Sequence, residues 1–152
     1  YTSPEHLAIH GVSNGGWLIG GVLTQRPELF AAAIPGIGVL DLLRFAQFTA
    51  GARWIHSNGD PNDPEEFEWL YPLSPLHRIK NEVCYPATLI ITATYDDLVH
   101  PSQSYKFAAA LQYAQSCDQP VLLRAYSEGA HNVGYLPGTM ADMYAFLMHN
   151  LK

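Results

Sequence analysis

Basic residues are scarce in this sequence. Its 152 residues include 8 Lys and Arg against 14 Asp and Glu, so the formal net charge is −6. Because binding to phosphates needs a basic face, we expect no nucleic acid among the partners. The sequence also lacks any apolar run near the roughly 20 residues that span a membrane, and no basic-then-apolar leader opens it. We therefore expect no membrane partner, and small neutral, cationic or peptidic substrates remain open.

Cysteine is scarcer still, since Cys84 and Cys117 are the only two. Two cysteines make no disulfide framework. We favour free thiols over a bridge, and the sequence does not decide between them. His6 and His10 could share one face, but no Cys, His or Asp spacing completes a set of metal ligands. We therefore expect no metal and no cofactor. The compartment stays open, with the cytoplasm favoured.

Length and hydrophobic pattern together predict one α/β domain over residues 1–152. The length suits an autonomous core. Continuous apolar runs alternate with helical patterns, which is typical of a parallel sheet covered on both faces. We expect a parallel sheet of about four strands flanked by helices. The predicted strands are residues 6–12, 30–34, 87–93 and 121–126, and the predicted helices are residues 14–24, 40–48, 65–70, 101–115 and 139–151.

A possible nucleophile lies between the first predicted strand and the first predicted helix. The residues there are Gly11-Val12-Ser13-Asn14-Gly15, which have the form G-x-S-x-G. A serine in such a tight turn presents its hydroxyl, and small neighbours let the backbone close. This context favours Ser13 as the nucleophile and the backbone N–H of Asn14 as one oxyanion donor. The alternative is a glycine-rich turn with an incidental serine.

A nucleophilic serine needs a base and a group that orients the base. In this kind of fold the chain order is serine, then an acid, then histidine, each after a later strand. Asp96 and Asp97 follow the third predicted strand and His131 follows the fourth, at the ends where such sheets place their sites. We predict a catalytic triad of Ser13, Asp96 and His131, because Asp96 lies closer to the strand end and Asp97 suits a cap of the next turn. The other candidates for the base are His6, His10, His56, His77, His100 and His149.

Eight segments spread over nearly the whole chain carry a resemblance to one known family. They are GVSNGGW (11–17), QRPELF (25–30), EWL (68–70), SPLH (74–77), YPATL (85–89), DD (96–97), SYKFAAALQ (104–112) and GAH (129–131). Together they resemble the prolyl oligopeptidases. The resemblance implies the C-terminal half of an α/β-hydrolase fold. It also implies a serine peptidase in which Ser13 attacks, His131 is the general base and Asp96 orients it.

The same resemblance implies a pocket for a proline ring. Trp54 matches the family tryptophan that stacks on the substrate proline, and Val39 and Val99 match aliphatic walls of that pocket. A flat indole offers the ring apolar area without a buried polar demand. Without the resemblance, the alternative for Trp54 is a loop tryptophan that covers the core.

Leu98 and Asn58 depart from the family pattern. Many members carry an arginine that binds a substrate carbonyl at the position of Leu98, and a tyrosine near the position of Asn58. A charged hydrogen bond of this kind contributes about 1.5–3 kcal/mol. Because these departures remove contacts that anchor a peptide, small esters are possible substrates as well as small peptides. A promiscuous carboxylesterase is therefore the alternative among serine hydrolases. A non-catalytic α/β module kept for assembly is the alternative from another class.

Family members are much longer than this sequence. They have a larger hydrolase domain and a propeller domain, whereas this chain opens a few residues before the nucleophile strand. We therefore expect that half of the sheet lies outside it, with the tyrosine that supplies the second oxyanion donor. The loss of one such donor lowers rates by about 100- to 1000-fold. The nucleophile strand would lie at an open edge, where strands pair readily, so we expect a homo-oligomer that buries this edge.

Overall fold

The computed structural model describes residues 1–151, which contain one sheet of four parallel strands. In spatial order the strands are β1 (Ala8–Val12), β2 (Ala32–Gly36), β3 (Ala87–Ala93) and β4 (Val121–Tyr126). The α-helices within these residues are α1 (Asn14–Gln25), α2 (Ile55–Asn58), α3 (Pro64–Leu73), α4 (Pro75–Arg78), α5 (Ser102–Ala114) and α6 (Pro137–Asn150). Short 3-10 helices occupy Pro4–His6, Pro27–Leu29, Phe45–Gln47, Gly51–Trp54 and Val133–Tyr135. The predicted four-stranded parallel α/β fold is confirmed.

Helices cover both faces of this sheet. Successive strand residues point to opposite faces, so Ile90 of β3 contacts one set of helices and Ile91 the other. On the first face α1 and α5 contribute Ile19, Leu23, Phe107, Ala108 and Leu111. On the second face α6 contributes Met143 and Phe146. Burial on both faces explains why β2 and β3 are continuous apolar runs.

β2 begins two residues later than the predicted strand. The 3-10 helix Pro27–Leu29 lies between α1 and β2. Ala32 is the first residue of β2 in register with β1, opposite Ala8. The strand then continues to Gly36, directly beside Val12. The end of β2 therefore lies next to Ser13, which follows Val12 in the chain.

The helix predicted over residues 40–48 is wrong. This stretch is a series of turns that ends in the 3-10 helix Phe45–Gln47. Its backbone N–H groups bond to side chains of other elements: those of Leu40 and Asp41 donate to Gln103, and that of Leu42 donates to Ser74. Leu40, Leu42 and Phe45 are buried because the loop itself packs into the core. The apolar spacing therefore reflected burial of a loop, not one face of a helix.

The interpretation of the cysteines as free thiols is also wrong, because Cys84 and Cys117 form a disulfide with 5.3 Å between their Cα atoms. Val83 and Gln115 pair as an isolated parallel bridge and bring the two segments together. The Gln115 amide reinforces this contact, since it accepts the N–H of Tyr85 at 2.9 Å and donates to the Tyr85 carbonyl at 3.1 Å. The two cysteines are 33 residues apart, and only the folded chain places them in register.

β1 lies at one edge of the sheet, as expected. The self-association expected from this edge stays a prediction. Across residues 1–151, no helix is both long and apolar enough to cross a membrane.

Candidate active site

Ser13 occupies a strained turn between β1 and α1. Its φ of 60° and ψ of −119° are unusual for a residue with a side chain. The Ser13 N–H donates to the Gly36 carbonyl at 2.9 Å, and its own carbonyl accepts the N–H of Trp17 at 3.1 Å. A Cβ on Gly11 would lie 2.4 Å from the Gly15 carbonyl oxygen, so this turn needs glycine there. The turn projects the Ser13 hydroxyl from the carboxyl end of the sheet.

His131 and Asp96 meet Ser13 at this end. The Ser13 Oγ lies 2.8 Å from His131 Nε2, and His131 Nδ1 lies 3.0 Å from Asp96 Oδ2 and 3.1 Å from Oδ1. An ionised carboxylate only accepts hydrogen bonds, so Nδ1 carries the imidazole proton and Nε2 is left to accept the serine proton. The structure thus brings the three predicted side chains, from three separate loops, into one hydrogen-bonded chain.

Asp96 is buried and held by backbone hydrogen bonds beside the histidine. It is only 3% exposed, and its Oδ1 accepts the N–H groups of Leu98 and Val99, each at 2.9 Å. Asp97, in contrast, is exposed. Three of the competing histidines are engaged elsewhere: His6 bonds to Ser3, His77 bonds to Ser74 and His100 bonds to Ser102.

The loop that carries His131 is anchored directly on the nucleophile strand. Val133 is fully buried in the core cluster on the face of the sheet that α6 covers. Val12 packs against the same cluster. A Cβ on Gly134 would come within 2.9 Å of both methyl groups of Val12. The Asn132 side chain also accepts the Ala130 N–H at 3.1 Å. Val12 immediately precedes Ser13, so this packing connects the loop of His131 with the nucleophile turn. The sequence assigned no role in the site to Val133 or Gly134.

Asn14 is the first residue of α1. Its N–H therefore has no acceptor within the helix, and it points with the positive end of the helix dipole toward the region of Ser13. This position allows it to donate to an oxyanion that forms on a substrate carbonyl.

The predicted pocket residues Val39, Val99 and Trp54 pack into one apolar cluster with Phe45. They line a narrow cavity that is packed too closely to hold a water molecule in this structure, and Leu98 lines it too. The other lining residues are Phe45, Phe48, Thr49, His100 and Gln103. Asn58 is not among the lining residues, and its side chain instead accepts the Ser57 hydroxyl at 3.1 Å.

Within the described residues, no group of three or more His, Cys, Asp and Glu side chains could hold a metal ion. The features that organise the site are the sheet, the strained serine turn and the later acid and histidine loops. A parallel sheet with a serine at a strand-to-helix turn, followed by an acid and then a histidine, defines the α/β-hydrolase class.

Comparison with known proteins narrows this class. Residues 1–152 match the model of the prolyl oligopeptidase family. The prolyl endopeptidase of Elizabethkingia meningoseptica is 43% identical over 156 residues, which cover 99% of this chain and 22% of that protein. The chain belongs to the prolyl oligopeptidase family.

Solved structures show the same likeness. A post-proline cleaving enzyme from Rickettsia typhi matches with a TM-score of 0.92 and 30% identity, covering 99% of this chain and 22% of that one. Prolyl oligopeptidase B from Galerina marginata was solved as a histidine-to-alanine mutant bound to a 35mer hydrolysis and macrocyclization substrate. It matches with a TM-score of 0.88 and 38% identity, covering 97% of this chain and 21% of that one. This chain therefore spans about a fifth of the length of the relatives it matches.

Proposed function

We propose that this chain carries the acyl-transfer machinery of a serine peptidase that cleaves small peptides after proline. Ser13 is the nucleophile, His131 is the general base and Asp96 orients the imidazole. The observation that carries the proposal is the hydrogen-bonded chain from Ser13 Oγ to His131 Nε2, at 2.8 Å, and from His131 Nδ1 to Asp96. Membership of the prolyl oligopeptidase family supports it.

The reaction follows from the proton positions. As Ser13 Oγ attacks the scissile carbonyl carbon, its proton passes to His131 Nε2, and Asp96 stabilises the imidazolium. The carbonyl oxygen becomes an oxyanion that the Asn14 N–H can stabilise. His131 then gives its proton to the leaving amine, which leaves an acyl-enzyme. Water, activated by the same imidazole, attacks this ester and releases the acid product.

The lining of the cavity around Val39 and Val99 is mainly apolar, which matches the chemistry of a proline ring. Its walls include Val39 and Val99, and the indole of Trp54 supplies a flat apolar surface. Relatives of this chain are named prolyl endopeptidase and post-proline cleaving enzyme. Proline is therefore the residue that we propose for this cavity.

A carboxylesterase is the second candidate, and Leu98 is the observation that favours it. Leu98 is 38% exposed at the rim of the cavity, where the family resemblance led us to expect arginine. An aliphatic side chain gives a peptide carbonyl no hydrogen bond, whereas a small ester needs less anchoring. The ratio of Gly-Pro anilide to nitrophenyl ester hydrolysis separates the two candidates.

Labelling with a fluorophosphonate tests the shared mechanism, because the probe reacts with an activated serine. We expect stoichiometric labelling of Ser13 in the purified protein. Ser13→Ala should lose labelling and lower kcat by about 10⁶-fold. Ser116→Ala is the matched control, since Ser116 is an exposed serine near the disulfide. An unlabelled Ser13 would favour a non-catalytic module kept for assembly.

A further inference from the structure

Gln103, in the first turn of α5, connects two loops of the candidate site. It is only 2% exposed. Its Oε1 accepts the backbone N–H groups of Leu40 at 2.9 Å and Asp41 at 2.6 Å, and its Nε2 lies 3.4 Å from the Asp41 carbonyl oxygen. One amide thus satisfies three backbone groups of a segment that belongs to no helix or strand. We call residues 39–41 the pocket segment.

The pocket segment begins with Val39, which forms one wall of the cavity. The other aliphatic wall, Val99, lies four residues before Gln103 in the chain. Val39 and Val99 pack in the same cluster with Trp54, and Gln103 itself lines the cavity. The amide of Gln103 therefore fixes the wall after β2 relative to the wall after β3.

Lys106, one turn further along α5, holds the same segment through a side chain. Its ammonium pairs with the carboxylate of Asp41, which is fully buried. Arg44 lies 3.6 Å from this carboxylate and His77 lies 4.0 Å from it. Burial lowers the pKa of His77, so Lys106 and Arg44 are the cations that face Asp41 at neutral pH. Two side chains of α5 therefore bind the pocket segment, Gln103 at its backbone and Lys106 at the Asp41 carboxylate.

We propose that Gln103 is a positioning residue that determines specificity, because its amide fixes the segment that carries Val39 against the helix that follows Val99, at the cavity proposed for a proline ring. This inference rests on the proposed function. Among the described residues, the side-chain hydrogen bonds of Ser13, His131 and Asp96 do not involve Gln103. Gln103 thus acts on the pocket, and the chemistry at the serine is separate from it.

Loss of the amide has a defined physical consequence. Without the Oε1 acceptor, the N–H groups of Leu40 and Asp41 are buried without partners, which is costly enough to move the segment toward water. The next N–H, that of Leu42, remains bonded to Ser74 Oγ at 3.0 Å. The displacement is therefore confined to the pocket segment, and Val39 moves with it.

Gln103→Met tests this, because methionine has a similar length and makes no such hydrogen bonds. We expect the ratio of kcat/KM for a proline anilide over an alanine anilide to fall by about 10-fold or more, mainly through KM. The rate of fluorophosphonate labelling should stay at the wild-type value. Gln103→Glu, which keeps the acceptor oxygens, should restore most of the ratio. Gln112→Met is the matched control: Gln112 is an exposed glutamine of the same helix that bonds to the Val121 carbonyl.

A binding measurement separates this inference from the proposed function. Calorimetry of the Ser13→Ala protein with N-blocked proline and N-blocked alanine acids needs no catalysis. Gln103→Met should remove the preference for proline here too, even if wild-type Ser13 fails to label and the proposed function falls. An unchanged preference in folded Gln103→Met, or an equal loss for both ligands, overturns the inference. Should that variant not fold, Gln103→Asn, one methylene shorter, gives the same readout.

Discussion

Asp96 and Asp97 are neighbours in the chain, but one is buried and the other is exposed to solvent. Asp96 is buried, receives two backbone N–H groups and contacts His131 Nδ1, whereas Asp97 is exposed. The difference arises because one side chain turns under the histidine loop and the other turns to solvent. Position in the sequence favoured Asp96, but it could not supply these contacts.

This contrast leads to a matched pair of variants. Asp96→Asn keeps the shape of the side chain but removes the charge that holds the Nδ1 proton, so we expect kcat to fall by about 10⁴-fold. Asp97→Asn should keep the wild-type kcat. Steady-state hydrolysis of a short nitrophenyl ester measures both. Equal losses in the two variants would contradict the role proposed for Asp96.

At the scale of elements, the site depends on how closely α1 approaches the loop after β2. A Cβ on Gly16 would lie 2.3 Å from the Gly36 carbonyl oxygen and 2.9 Å from the Gly38 Cα, so only glycine fits without movement. The same Gly36 carbonyl accepts the Ser13 N–H. Close contact between α1 and this loop therefore also fixes the nucleophile turn.

Gly15 and Gly16 offer a second matched pair, because they are adjacent in the same helical turn. Gly16→Ala should destabilise the fold by about 1–3 kcal/mol, since the added methyl group meets backbone. Gly15→Ala should cost nothing or stabilise by up to about 1 kcal/mol, because the space around its Cβ position is open. Urea unfolding of both variants measures the difference. A Gly16→Ala protein as stable as wild type would refute this close packing.

At the scale of the whole molecule, the disulfide and the candidate site lie at opposite ends of the sheet. Cys84 precedes β3 and Cys117 precedes β4, whereas Ser13, Asp96 and His131 follow β1, β3 and β4. The bridge therefore contributes to stability without contacting the chemistry.

Reduction of the disulfide should separate these two properties. A bridge between residues 33 apart contributes about 3–4 kcal/mol by restricting the unfolded chain. We expect reductant to lower Tm by about 10 °C, while kcat well below Tm stays unchanged. The double variant Cys84→Ser and Cys117→Ser should show the lower Tm with or without reductant. A wild-type Tm that does not respond to complete reduction would contradict this prediction.

The sequence by itself determined the sheet and the order of the candidate site residues. β3 and β4 were predicted to the residue, because each is a run of mainly apolar residues that a local pattern reveals, although β3 is buried throughout and β4 is largely exposed. The G-x-S-x-G turn and the later acid and histidine were equally readable, because each follows a predicted strand at its carboxyl end.

The tertiary structure alone decided the cysteine bridge, the conformation of residues 40–48 and the contacts of Gln103. Each depends on contacts between distant segments: Cys84 meets Cys117, and the backbone of Leu40 and Asp41 finds its acceptor 62 or 63 residues away in Gln103. The spacing of apolar residues indicates that a residue is buried, but it does not indicate which segment packs against it. A loop whose backbone is satisfied by a distant side chain therefore has the same apolar pattern as a helix that satisfies itself.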